Sequence, residues 1–181
     1  LAQARRKLAA AEAAGRIGFH EGSILALPFE AASFDGVMIN QVVHHLGDAD
    51  DGYARLRAAV AEFARVLRPG GLLIFNHCSP EQLQDAYWYY RLAPRAQAKV
   101  LRNFAPLEIL RGFMAESGLR DRGRFVPVDA VCQGPAYFDG RGPLAKPWRD
   151  GDSFWALANP EELESALSQV RALDAAGHLD A

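Results

Sequence analysis

Phe34-Asp35-Gly36-Val37-Met38-Ile39-Asn40 decides the fold together with the next forty residues: Tyr53, Leu56, Val60, Phe63 and Leu67, then Pro69-Gly70-Gly71 and Leu72-Leu73-Ile74-Phe75. The two outer runs are continuously apolar at their centres, as expected of strands buried on both faces of a parallel sheet. The middle set repeats at intervals of three and four, which predicts an amphipathic helix with one core-facing stripe. Asp48, Asp50 and Asp51 stand before it, where a helix N-terminus favours negative charge. Pro69-Gly70-Gly71 ends it. Strand, helix and strand with a helix-length connection define a right-handed βαβ unit.

Working outward, Leu1, Ala4, Leu8 and Ala11 fall at helical spacing, and Gly15 suits the left-handed position after a helix. Ile17–Glu21 reads as a short strand ending at Gly22-Ser23. Leu27-Pro28-Phe29 cannot continue a helix, because a proline disfavours the α region for the residue before it. Ser79-Pro80-Glu81-Gln82 has the form of a capping box with proline in the first turn. An aromatic run, Tyr87-Trp88-Tyr89-Tyr90, comes next. Pro106 opens a helix with Leu107, Leu110 and Met114 inward and Gly118 as terminator. Phe125-Val126-Pro127-Val128 reads as an edge strand. The glycines and prolines of 134–152 predict a long loop, and Asn159-Pro160-Glu161-Glu162 starts a last helix with Leu163, Leu167 and Val170 on one face.

The 181 residues, half of them apolar and 23% charged, have the composition of one ordinary globular domain, or most of one. Disorder and low complexity are excluded, and no apolar run reaches the ~18–20 residues of a membrane span. A formal net charge of −2 carries no nucleic-acid footprint. The charge is nonetheless uneven. Residues 91–124 hold eight basic and three acidic side chains, so they read either as solvated helix faces or as an attractor for an anionic ligand. Cys78 and Cys132 make no disulfide framework and no metal-ligand spacing, which suits a reducing cytoplasm.

In open parallel sheets ligands bind beyond the C-terminal strand ends. Three places qualify: Gly22-Ser23-Ile24, Asn40-Gln41-Val42 and Asn76-His77-Cys78. The series Gly22-Ser23-Ile24-Leu25-Ala26-Leu27-Pro28-Phe29, Ser33-Phe34-Asp35-Gly36-Val37, Val42-Val43-His44-His45-Leu46 and Leu67-Arg68-Pro69-Gly70-Gly71-Leu72-Leu73 resembles the class I S-adenosylmethionine-dependent methyltransferases. The nearest flavour is the small-molecule group that includes ubiquinone/menaquinone-biosynthesis enzymes. The resemblance spans residues 16–76 and extends to about 125. It implies an α/β, Rossmann-like, mostly parallel sheet with helices on both faces. It also implies that the family's first two strands and glycine-rich loop lie before Leu1, so that 1–181 forms a single incomplete domain. Phe154–Leu157 is a candidate for the family's last strand, although the helix after it suggests a position beyond Ala181. Segments 79–105 and 132–158 are expected to form lids on the acceptor side.

The resemblance carries cofactor-binding roles onto Gly22, Ser23, Ile24, Asn40 and Gln41. Ile24 matches the position whose backbone N–H and side chain meet the adenine. Ser23 stands where the family usually has an acidic or amide residue, and it equally suits a local turn. Transfer from a sulfonium needs orientation and water exclusion, and a base only when the acceptor carries a leaving proton. His45 and His44 are the candidate bases, with His77 behind them. The expected function is methyl transfer to a small-molecule acceptor, anionic or aromatic. The alternatives are a methyltransferase-like binding module without turnover and another nucleotide-binding α/β enzyme.

Overall fold

The computed structural model describes residues 1–126 and 134–179. Its centre is the βαβ unit. Strand β1 (Phe34–Asn40) pairs in parallel with β2 (Leu67–Asn76), and α2 (Ala54–Val66) crosses between them. Tyr53, Leu56, Val60, Phe63 and Leu67 are all buried, so the three-four spacing marks the packed stripe. The helix stops earlier than the Pro-Gly-Gly signal. Leu67 already pairs with Phe34, and the ladder then jumps to Gly36 opposite Leu72. Arg68-Pro69-Gly70-Gly71 bulges out of register, with Arg68 paired to Asp35 at 2.7 Å. Ala32 and Ser33 donate their backbone N–H groups to the carbonyls of Arg65 and Val66, closing the end of α2.

Two faces of the sheet differ. Val37, Ile39, Leu73 and Phe75 pack with α2 and α5 (Leu107–Glu116) in a first core. On the other face Met38, Leu72 and Ile74 remain 63%, 53% and 44% exposed. Helix α1 (Ala2–Ala13) has no buried residue. It ends in a Schellman motif: Gly15 has φ +66, Arg16 N–H bonds the Ala11 carbonyl, and Gly15 N–H bonds that of Glu12. Gly118 ends α5 in the same way, with Leu119 N–H on the Met114 carbonyl.

A second core is helical. It joins α3 (Pro80–Gln84), a 3₁₀ turn at Trp88–Leu92, α4 (Pro94–Asn103), α7 (Ser153–Leu157) and α8 (Pro160–Ala175). Between the two halves of this core in sequence lies α6 (Lys146–Arg149). Ser79 caps α3 with the full capping box: its hydroxyl accepts from Gln82 N–H at 3.3 Å, and the Gln82 side chain accepts from Ser79 N–H at 2.9 Å. Buried Glu162 reaches from α8 to the N-terminus of α4 and accepts from Arg95 N–H at 2.6 Å. A carboxylate there satisfies an orphan helix donor and complements the dipole.

Several sequence expectations change. Ile17–Glu21 forms no ladder, because no strand lies beside it among the described residues; only a short bridge, Ser23 with Ala26, closes the next turn. Phe154–Leu157 is helix, not strand: Asp152 accepts from Phe154 N–H at 3.0 Å and starts α7, whose Phe154 and Trp155 fill the second core. The expected 134–152 loop is broken into 3₁₀ turns at Pro135–Phe138 and Gly142–Leu144 and the one turn of α6. Phe125 and Val126 are exposed and unpaired in any ladder, while Pro127, Val128 and Cys132 lie outside the described residues. No helix among the described residues is long and apolar enough to cross a membrane.

Candidate functional site

The parallel register brings Asn40 opposite Asn76 at the C-terminal ends of β1 and β2. Their carboxamides bond directly, Asn76 Nδ2 donating to Asn40 Oδ1 at 2.5 Å. Asn76 Oδ1 accepts from Gln41 Nε2 at 3.2 Å, and the same amide contacts Cys78 Sγ at 3.6 Å. Gln41 also donates its backbone N–H to the Asn76 carbonyl at 3.1 Å. These bonds hold Gln41 at φ +49, a left-handed conformation that costs a side-chain-bearing residue about 1–2 kcal/mol. The chain turns sharply there, and Val43–His45 continues it as a 3₁₀ turn anchored by buried Val43.

That turn sets the two histidines apart. His45 is exposed, whereas His44 is half-buried with its ring stacked on Phe104 at 4.6 Å and 9°. The two imidazoles touch at 4.0 Å between centroids. His77, at the end of β2, stacks on the same Phe104 at 5.3 Å and 19°. Burial lowers the His44 pKa from 6.5 to about 4, helped by His45 and His77, so its ring is uncharged at neutral pH. Burial also lowers that of His77, partly offset by a hydrogen bond to the Ala105 carbonyl. A carbonyl only accepts, so His77 Nε2 carries the hydrogen at 3.2 Å and Nδ1 is bare.

The third sequence-predicted strand end lies across the first core. Gly22 is required by contact: a Cβ there would stand 2.9 Å from Pro28 Cδ. Ser23 is engaged locally, its hydroxyl accepting from Leu25 N–H at 3.2 Å. Ile24 lines an apolar cavity of about 280 Å³ with Leu27, Phe29, Val37, Ile39 and Phe63. Glu62 and Arg65 of α2 pin this segment, since Glu62 Oε1 accepts from Leu27 N–H at 2.7 Å and Arg65 donates to the Leu27 carbonyl at 3.3 Å. Ile24 and the β1 strand therefore wall one cavity, while Asn40, Gln41, His44 and His77 converge at the strand tips. Ser23 is exposed in its turn, beside Ile24.

Asn76 and Phe104 are the residues that sequence reasoning passed over. Asn76 had a signal, its position at a strand end, but no family role. Phe104 had none, because nothing local announces that the end of α4 folds back over two strand tips. In the aromatic run Tyr89 and Tyr90 are buried in the second core with Tyr87 packed against it, Tyr89 donates its hydroxyl to Asp152 at 2.6 Å, and Trp88 is exposed. Three of the eight basic side chains of 91–124 face carboxylates: Arg91 faces Asp85, Arg102 faces Asp50, and Arg111 faces Glu108 and Asp121. Among the described residues no cluster of three or more metal-ligating side chains occurs.

The chain is similar to known methyltransferases. Residues 1–75 match a family described as a methyltransferase domain. An O-methyltransferase of Aspergillus sclerotiorum, resE, is 31% identical over 114 residues, 59% of this chain and 37% of the relative. The ubiquinone/menaquinone biosynthesis C-methyltransferase UbiE of Paracoccus denitrificans is 32% identical over 90 residues, 50% of this chain and 33% of the relative. The chain thus spans about a third of the length of these curated relatives. A solved structure from Anabaena variabilis, described as a methyltransferase of an antibiotic-biosynthesis pathway, superposes with a TM-score of 0.64 at 22% identity, covering 91% of this chain and 67% of that one. The fold is Rossmann-like, as in that structure. Over the residues matched, the chain is similar in sequence to methyltransferases, and it shares its fold with one.

Proposed function

We propose that this chain serves S-adenosylmethionine-dependent methyl transfer to a small-molecule acceptor, in the cytoplasm. The observation that carries the reading is the apolar cavity that Ile24 lines along β1, the strand that ends at Asn40 and continues into Gln41. Its apolar wall fits one face of an adenine, and Gly22 lets the backbone pass close beside it. The carboxamides of Asn40 and Gln41 would meet the polar end of the cofactor. When bound, S-adenosylmethionine supplies an activated methyl group on a sulfonium. Ile24 orients and excludes water. His45, exposed beyond the end of β1, takes the proton that a hydroxyl or carbon acceptor must lose, with the uncharged His44 ring beside it. Segments 79–105 and 132–158, of which 132 and 133 lie outside the described residues, would serve as lids on the acceptor side.

Isothermal titration with S-adenosylhomocysteine tests this. Binding weakened tenfold or more by Ile24→Asp supports the reading, and no heat at millimolar ligand refutes it. A second reading, a methyltransferase-like binding module without turnover, is favoured by the local engagement of Ser23. It predicts cofactor-product binding with no methyl transfer to any acceptor in a small-molecule panel.

A further inference from the structure

Phe104 stands where the two cores meet. Its ring belongs to the second core, while the next residue, Ala105, is buried in the first. Both backbone carbonyls at this junction are held: Tyr53 Oη donates to Phe104 O at 3.4 Å, and His77 Nε2 to Ala105 O at 3.2 Å. The ring itself stacks near-parallel on His44 and on His77, which come from the ends of two different strands. His44 in turn leans on His45. One side chain from the end of α4 thus touches two of the three histidines at the strand tips, and the third through His44.

We propose that Phe104 is a positioning residue of the candidate site, its ring fixing the orientation of His44, and through it His45, and keeping water from the His44 ring. The proposal rests on the reading that these histidines serve methyl transfer. Its physical content can be tested without cofactor or acceptor. Water exclusion is the largest cause of the low His44 pKa, and the nearest charged forms, those of His45 and His77, act in the same direction. Removing the ring while keeping an apolar side chain readmits water on one face of His44. A larger ring keeps it out.

Histidine side-chain NMR titration of the full chain distinguishes these cases. In Phe104→Leu the His44 midpoint rises by about one unit or more toward its ordinary value. In Phe104→Trp it stays near that of the unsubstituted protein. A role in packing alone would lower the melting temperature of Phe104→Leu and leave the His44 midpoint in place, and that result overturns the proposal. If Phe104→Leu does not fold, the unsubstituted chain still decides the matter. The ring protons of His44 and His77 must both show upfield ring-current shifts from Phe104, and their absence overturns it equally. S-adenosylhomocysteine binding, measured separately, tests the functional reading and leaves this outcome untouched.

Discussion

Glu62 ties the cavity-lining segment to the crossover helix, and its removal has a calculable consequence. One carboxylate oxygen accepts from the half-buried Leu27 N–H at 2.7 Å, and both oxygens receive the Arg65 guanidinium at 2.7 Å. The Glu62 side chain is 14% exposed and that of Arg65 37%. The Arg65 hydrogen bond, and with it the Leu27 N–H, outweighs burial and brings the carboxyl from 4.5 down to about 2. Glu62→Ala deletes a hydrogen bond to a charged acceptor, about 1.5–3 kcal/mol, and a partly screened ion pair, about 0.2–1 kcal/mol. A loss of roughly 2–3 kcal/mol lowers the melting temperature of a chain this size by ~5–10 °C. Glu62→Gln keeps an oxygen for Leu27 N–H but loses the charge and the acceptor for Arg65 Nε, so about 1–2 kcal/mol is expected. Because the folded pKa is depressed, the contribution is whole above the ordinary value of 4.5 and is lost as pH falls from there toward 2. Urea unfolding of the three proteins between pH 7 and pH 3 is the assay. The gap between the unsubstituted protein and Glu62→Gln should hold at neutral pH and shrink below about pH 4.5. A gap constant to pH 3, or a Glu62→Ala loss under ~0.5 kcal/mol, refutes the reasoning.

Other substitutions test the fold piece by piece. Phe63 in α2 is 1% exposed, and Phe63→Ala should cost about 3–5 kcal/mol in urea unfolding; a cost near 1 kcal/mol would mean the helix does not face the sheet by this stripe. A Cβ on Gly71 would stand 2.9 Å from the Arg68 carbonyl and 3.0 Å from that of Asp35, so Gly71→Ala should cost about 1–3 kcal/mol through strain in the bulge. Gly70 has open space and only its φ of +81 to lose, so Gly70→Ala should cost about 1 kcal/mol, and a reversed order would contradict the observed register. Asn159 caps α8 by accepting from Glu162 N–H at 2.8 Å, and Asn159→Ala should cost ~1 kcal/mol; no change in thermal melting would show the cap to be idle.

What could be read from the chain alone divides along a physical line. The stripe of α2, the capping box at Ser79, the cap at Asn159 and the left-handed Gly15 and Gly118 are decided within one or two helical turns, so a short window holds their cause. A strand has no such local cause. Its hydrogen bonds are made elsewhere, which is why Ile17–Glu21 reads as a strand yet forms no ladder, and why four apolar residues at Phe154–Leu157 read as a strand although Asp152 turns them into helix. The site obeys the same division. Asn40 and Gln41 were legible because they end a strand, and the left-handed Gln41 was not, because its conformation is imposed by Asn76, 35 residues on. Phe104 lies far from both histidines in sequence and carries no motif, yet it meets the rings at both strand tips. The candidate groups at the strand tips are thus marked locally, whereas the residues packed against them come from segments joined only by the tertiary fold. Substitutions remote in sequence, at Asn76 and Phe104, therefore probe the site's geometry more directly than further changes to the histidines themselves.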